Sequence, residues 1–448
     1  MSHRGHFVTK LGVIAATVGS AVGLGNIWRF PYITGTNGGG AFLAVYIICI
    51  LLLGIPVMCA EFIIGRHAKL DAIGSIKKLA PHTLWHYIGY LAVAASVLIL
   101  GYYTVIAGWT TEYLVQSVTG QLNDKTADVL KAELEAFTSH PYRPLIWTYI
   151  VLLVNYIILK RGIQKGLEKA SNILMPLLFV IMILFSIRSL TLPGASEGLR
   201  FFLQPDFHKI TPTVILEAMG QAFFSLSLGM GILLTYSSYF SNKTVLIQTA
   251  GTVALLDAVV AILAGIVIFP AVFSIPEVSP EQGSNLVFAT LPYIFGQMPA
   301  SALWSSLFFL LLLIAALTST LSLFEVSITF CTDHFKMSRR SATGTMILIA
   351  GVLCTLCSLS IGTLSHLTIG GKNIFDIFDF VSAVIILPLN GLLISIFVGW
   401  YLDRKLCRNE LTNHGTISAG WYRSVYFCIR YIAPALILLI FLSGLGLF

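Results

Sequence analysis

Gly19-Ser20-Ala21-Val22-Gly23-Leu24-Gly25-Asn26-Ile27-Trp28-Arg29 is a glycine-broken stretch inside the first apolar segment of the chain, and it ends near an asparagine and an arginine that lipid does not tolerate. Backbone amides and carbonyls at membrane depth must find partners. A helix interrupted there persists only where it lines a cavity and something else completes its hydrogen bonding. Ions and a small polar substrate are the natural suppliers.

The composition around that break is a membrane protein's. Hydrophobic residues fill 56% of the 448 positions and charged residues 10%, with mean hydropathy +0.87; soluble domains carry roughly 25% charged residues. Apolar runs of about 20 residues, long enough to cross a bilayer as a helix, fall near 11–35, 41–66, 86–117, 145–160, 166–189, 214–240, 244–272, 302–331, 342–362, 374–401 and 421–446. The expectation is an all-α polytopic membrane protein of eleven spans, one integral domain over 1–448 with no linker. An odd number of spans puts the termini on opposite faces. Arg4, Lys10, Arg66, Lys77, Lys78, Arg339, Arg340, Arg404 and Lys405 collect on one side, which predicts a cytoplasmic N-terminus and an extracellular C-terminus in a plasma membrane, such as a bacterial inner membrane.

The net charge of +7 follows from that asymmetry, so no nucleic-acid partner is expected; the lipid bilayer is. Arg4 and Lys10 precede the first apolar run as in a secretory signal, but no small-residue cleavage site follows and ten further spans do. The seven cysteines fall in predicted spans or on the cytoplasmic side, so no external disulfide is expected. Two longer external excursions, 118–144 and 273–301, remain. The second holds turn signals around a short helical pattern and reads as a lid or as a plain loop.

Phe223-Phe224-Ser225-Leu226-Ser227-Leu228-Gly229-Met230-Gly231 repeats the anomaly in the sixth segment. Because five is an odd number, segments 1–5 and 6–10 enter the membrane in opposite senses. That predicts an inverted five-plus-five repeat, about 11–189 and 214–401, with broken helices 1 and 6 at its centre and 421–446 as an additional C-terminal helix. An enzyme is disfavoured for want of parts, since the chain has no phosphate-binding GxxxxGK[ST], no HExxH and no Cys/His cluster with metal spacing. A channel is the alternative, because broken helices also line pores.

With these residues in view, the chain resembles the neurotransmitter:sodium symporter family, in its bacterial eleven-span amino-acid branch. The resemblance rests on the quoted stretch with Phe30-Pro31, on Asn37 to Phe42, Gly54-Ile55-Pro56 with Glu61, Gly65-Arg66, Tyr102-Tyr103, Gln221 to Gly231 and Leu317-Thr318-Ser319. It implies sodium-coupled symport by alternating access and two sodium sites. The first would use the Ala21 carbonyl, the Asn26 side-chain oxygen, Ser225, Asp257 and the substrate carboxylate. The second would use the carbonyls of Gly19, Val22 and Ala315 and the hydroxyls of Thr318 and Ser319. All are oxygen donors, as a hard cation requires, although membrane hydroxyls also bond back to their own helix.

The resemblance further implies a substrate pocket of Ala21, Leu24, Gly25, Ile99, Tyr103, Phe224, Ser225, Ser227, Met230, Ser319 and Leu323. Half-helix amides at Leu24 and Gly25, with the Tyr103 hydroxyl, would take a carboxylate. Gly23 stands where amine-carrying members have an aspartate, so the substrate must bring its own carboxylate. Met230 is flexible enough to fit varied shapes, which favours neutral hydrophobic or aromatic L-amino acids over small neutral amino acids or amines. Arg29 and Asp379 match an outer gate above Tyr103 and Phe224. Arg4 and Asp333, with Ser238 and Tyr239, match an inner latch, and Phe7 replaces a tryptophan there. Gly166 and Pro176 match a hinge in segment 5, where Pro176 frees the Asn172 carbonyl. Asp257 stands where chloride-dependent members have asparagine. Tyr46, Gln221 and Ser225 match their anion ligands, but Ala261 replaces a serine, so no chloride is expected, and Asp257 either carries a counter-transported proton or stays a permanently charged sodium ligand. Oligomeric state stays open.

Overall fold

The computed structural model describes residues 6–275, 285–416 and 418–447. Among them the chain is all-helical, and the β pairing is confined to one isolated bridge between Ile369 and Lys372. Apolar runs become helices because a backbone in lipid must satisfy its own hydrogen bonds. Their starts are set by caps: Thr9 accepts from Gly12 N–H, Thr211 from Val214 N–H and Ser338 from Ser341 N–H.

Among the described residues eight helices are long and apolar enough to cross a bilayer: Gly40–Ala68, Leu84–Val118, Ile163–Ser189, Leu246–Val272, Ser301–His334, Arg339–Ile361, Ile374–Tyr401 and Gly420–Gly444. They are spans 2, 3, 5, 7, 8, 9, 10 and 11. The other three depart from a straight rod. Span 1 is Lys10–Ala21 and Gly25–Thr36, bent by 52° at the break, and span 4, Arg143–Leu159, follows helix Ala127–Ser139 at 72°. Span 6 is Pro212–Ser225 and Ile232–Ser237 with a non-helical turn between them. Spans 1 and 6 thus head the two halves of an inverted five-plus-five arrangement, and span 11 stands outside it.

Some expectations shift. Span 6 stops three residues short of its expected end, because Ser238 to Phe240 fold into a tight turn with Tyr239 N–H on the Tyr236 carbonyl. The excursion 118–144 contains the helix Ala127–Ser139, whose Leu130, Leu134 and Phe137 are buried. The excursion 273–301 contains helix Leu286–Gly296, while 276–284, the turn-rich part of the lid reading, lies outside the described residues.

Spans 3 and 8 are the long struts of the interior and pack along each other. Buried side-chain hydrogen bonds join the helices: Thr320 to Asn155 at 3.1 Å, Ser96 with Ser327 at 3.0 Å, and Tyr236 to Ser322 at 2.7 Å. Such pairs, with close backbone approach, replace a hydrophobic drive that is missing between helices in lipid. Gly65 shows the approach, since a Cβ there would sit 2.0 Å from the Leu234 carbonyl oxygen.

Candidate functional site

The first half of span 1 ends at Val22, whose ψ of 103° turns the chain out of the helix. The freed amides find side chains. Gly23 N–H donates to Asn26 Oδ1 at 3.2 Å and Leu24 N–H donates to the Tyr103 hydroxyl at 3.0 Å. A Cβ on Gly23 would lie 2.8 Å from Ser319 Oγ and 2.9 Å from the Tyr103 oxygen, so a side chain at the break would displace one or both of these hydroxyls.

Span 6 breaks by left-handed residues: Ser227 at φ 55°, Gly229 and Gly231 at φ 75°. Glycine takes that conformation at little cost; Ser227 does not, and its hydroxyl donates to the Ser20 carbonyl at 2.7 Å, tying one break to the other. The Glu61 carboxylate, fully buried on span 2, accepts Gly229 N–H at 2.8 Å and Leu234 N–H at 3.3 Å. It thereby satisfies one amide of the break and one in the first turn of the second half-helix, Ile232–Ser237. Asn390 Nδ2 donates to the Gly229 carbonyl at 2.7 Å.

Between the breaks lies a cavity of about 30 Å³ lined by Ser20, Ala21, Gly23, Gly25, Ile99, Tyr103, Phe224, Ser225, Ser227, Met230, Ile232, Ser319 and Leu323. Every expected pocket residue except Leu24 is on that wall, and Ser20, Gly23 and Ile232 join it. Leu24 lines a separate vestibule of about 450 Å³ with Trp28, Arg29, Tyr102, Trp109 and Asp379. Gly25, Tyr103 and Phe224 border both spaces and so form the partition between them. The Arg29 guanidinium lies 5.0 Å from the Phe224 ring centroid. Arg29 and Asp379 share the vestibule wall, but among the described residues no N–O contact within 4.0 Å joins them.

Beside the cavity is a polar cluster. Asn26 Nδ2 donates to Ser225 Oγ at 3.0 Å and to Asp257 Oδ1 at 2.8 Å; Ser225 and Tyr46 hydroxyls donate to Asp257 Oδ2 at 2.7 and 3.1 Å. Gln221 Nε2 donates to the Gly25 carbonyl at 3.1 Å, and its Oε1 is buried without a partner. Asp257 is fully buried, and among the described residues no Lys, Arg or His bridges it. A carboxylate in that position calls for a counter-charge, and an oxygen-lined sodium site fits. The expected donor on Asn26, its Oδ1, faces Gly23 N–H.

At the second expected sodium site, Gly19 faces spans 8 and 5: a Cβ there would meet Thr318 Cβ at 3.3 Å and Met175 Sδ at 3.4 Å. Val22 and Ala315 are fully buried. Thr318 Oγ1 donates to the Ile314 and Ala315 carbonyls of its own helix, both at 3.1 Å.

Toward the face that carries the N-terminus, Arg4 lies outside the described residues. Asp333 Oδ2 accepts Asp71 N–H at 3.0 Å. Tyr239 donates to Glu325 Oε1 at 2.8 Å, and Arg339 forks onto both Glu325 oxygens at 2.9 and 2.5 Å. Phe7 is buried, with the Tyr236 and Tyr239 rings edge-on at 5.9 and 6.0 Å. Gly166 sits in the π-helical start of span 5, Ile163–Glu168, and Pro176 inside Lys169–Ser189.

Sequence reasoning missed Glu168. Its carboxylate accepts Val8 N–H at 3.1 Å, Thr9 N–H at 3.2 Å and the Thr9 hydroxyl at 3.1 Å, and Gln164 Nε2 donates to the His6 carbonyl at 3.1 Å. Gly12 makes room, since a Cβ there would fall 2.1 Å from Glu168 Oε1. The available signal was a lone acid in the basic run from Lys160 to Lys169.

Residues 4–140 and 140–448 match the model of the sodium:neurotransmitter symporter family. The chain is 37% identical over 441 residues to an uncharacterized sodium-dependent transporter of Bacillus subtilis, covering 98% of each. It is 36% identical over 432 residues to one of Methanocaldococcus jannaschii, covering 93% of this chain and 86% of the relative. Against the human sodium- and chloride-dependent GABA transporter 2 it is 26% identical over 491 residues, with 99% and 80% covered. The crystal structure of MhsT in complex with L-phenylalanine aligns with TM-score 0.90 at 45% identity over 98% of this chain and 100% of that one.

Proposed function

Because this chain belongs to the sodium:neurotransmitter symporter family, whose members are sodium-dependent transporters rather than enzymes, we propose that it imports neutral hydrophobic or aromatic L-amino acids on the sodium gradient. One observation carries the substrate class: among the described residues no charged side chain lines the central cavity. In this reading the ligand brings its own carboxylate and ammonium, and its uncharged side chain faces Ile99, Phe224, Met230, Ile232 and Leu323. The MhsT neighbour, solved with L-phenylalanine, supports the same class.

In this reading Leu24 and Gly25 amides and the Tyr103 hydroxyl hold the carboxylate, and carbonyls of the broken turns with Ser227 hold the ammonium. Asn26, Ser225, Asp257 and the Ala21 carbonyl hold one sodium ion. Thr318, Ser319 and the carbonyls of Gly19, Val22 and Ala315 hold another. Each ion supplies positive charge where carbonyl ends converge. Tyr103 and Phe224 close the cavity outward with Arg29 and Asp379 above them; Arg4, Asp333 and Tyr239 close it inward, and span 5 unwinds at Gly166 and Pro176. The N-terminus is cytoplasmic, and the repeats run over about 11–189 and 214–401. Asp257, with Ala261 in place of a hydroxyl, supports chloride independence and a returning proton.

Competition against radiolabelled L-phenylalanine in proteoliposomes tests the substrate class. Leucine, tryptophan and tyrosine should compete and phenethylamine should not. Equal competition by phenethylamine would defeat the assignment.

A further inference from the structure

We propose that the edge of spans 10 and 11 on the face carrying the N-terminus binds the phosphodiester of an anionic phospholipid, with Arg430 as its anchor. Arg430 lies ten residues, about 15 Å, into Gly420–Gly444. An arginine in an apolar span is costly unless something meets its charge. No acceptor does so here: among the described residues no oxygen accepts from its guanidinium, and its Nε is buried without a partner.

The group is nevertheless held in place. Its guanidinium carbon lies 4.4 Å from the Trp400 ring centroid and 5.5 Å from that of Tyr431, a cation–π clamp that orients the donor fork without neutralising it. Trp400 Nε1 donates to the Arg430 carbonyl at 2.8 Å, and the helices meet so closely at Gly399 that a Cβ there would fall 2.8 Å from Arg430 Cα. One turn earlier, Tyr426 donates to the Gly399 carbonyl at 3.1 Å and carries the Arg404 guanidinium over its ring at 5.7 Å. Two oriented guanidinium groups thus share one seam.

Charge and polarity select the ligand. Lys405, Arg408 and Arg423 lie close to Arg404 and Arg430 in sequence, and among the described residues none of the five is in an ion pair within 4.0 Å. Nearby acids are engaged: Glu410 by Arg66 and His67, and Asp403 by the Lys405 amide. Trp400, Phe427 and Tyr431 are exposed, an aromatic belt of the kind that Trp and Tyr form at membrane interfaces. A basic cluster beside such a belt matches an anionic headgroup, and guanidinium forks match phosphate oxygens.

Native mass spectrometry of purified full-length protein, titrated with dioleoyl phosphatidylglycerol or dioleoyl phosphatidylcholine, tests this. Wild type should retain phosphatidylglycerol selectively. R430Q should lose about fivefold or more of that selectivity, the increment one cation contributes at an anionic surface. W400L, which keeps the charge but removes its clamp, is a second arm if R430Q folds poorly. K160Q, removing a cation that lies over Tyr156 elsewhere, should change nothing. Undiminished selectivity in both R430Q and W400L would overturn the proposal, as would equal retention of the two lipids, which marks annular contact only. Displacement of phosphatidylglycerol by millimolar inorganic phosphate would overturn the lipid assignment in favour of a free anion.

Discussion

Replacing Glu168 with alanine should loosen the N-terminal strap. Its carboxylate receives three donors from residues 8 and 9, immediately before helix Lys10–Ala21. A hydrogen bond to a charged acceptor contributes roughly 1.5–3 kcal/mol when its partner would otherwise stay buried. Val8 and Thr9 are exposed, so on release their amides reach water and most of that gain is returned. A net of about 2 kcal/mol for the three together corresponds to roughly 30-fold in the equilibrium between strapped and released segments. E168Q keeps an acceptor oxygen and should shift it by about fivefold, near 1 kcal/mol. Hydrogen–deuterium exchange in lipid nanodiscs reads this directly, because the Val8 and Thr9 amides are the bonded groups. The peptide over 6–21 should exchange faster in the order wild type, E168Q, E168A, while 55–68 in span 2 stays unchanged. Identical exchange in all three proteins would refute the strap.

Three further outcomes follow from the site. T318A/S319A removes two oxygen donors beside buried carbonyls, an unfavourable exchange around an ion, and should cut sodium-dependent uptake by at least about tenfold while the protein stays monodisperse in detergent; unchanged sodium dependence contradicts the second site. G23A places a methyl group within 3 Å of Ser319 Oγ and the Tyr103 oxygen; overpacking of about 1–3 kcal/mol should abolish L-phenylalanine binding, measured by scintillation proximity, and normal affinity would show that the break has slack. D257N/A261S should make uptake chloride-dependent, compared in chloride and gluconate buffers; continued chloride independence removes Asp257 from that role.

The broken spans were legible because glycines and charged groups at membrane depth break the rule that lipid imposes on a backbone. The two long excursions were visible as polar interruptions, although not the angle at which Ala127–Ser139 meets span 4. Pocket residues followed from resemblance rather than from periodicity, since Met230 and Leu323 carry no mark that separates a cavity wall from packed core. Leu24 is expected at the substrate through its backbone amide, and Leu24 itself lines the vestibule, because a residue at a break projects in a direction its spacing does not encode. Glu61 and Glu168 show a different limit. Each caps backbone amides more than 150 positions away in sequence, and such a pairing exists only once the helices have assembled.

Sodium-gradient-driven accumulation of radiolabelled L-phenylalanine by purified protein in sealed liposomes tests the central claim most directly. An inward sodium gradient should drive uptake through a transient maximum above the equilibrium level, and replacing external sodium with choline should abolish it. Uptake that never exceeds equilibration, or that proceeds equally in choline, would contradict sodium-coupled symport through the cavity between the two broken helices.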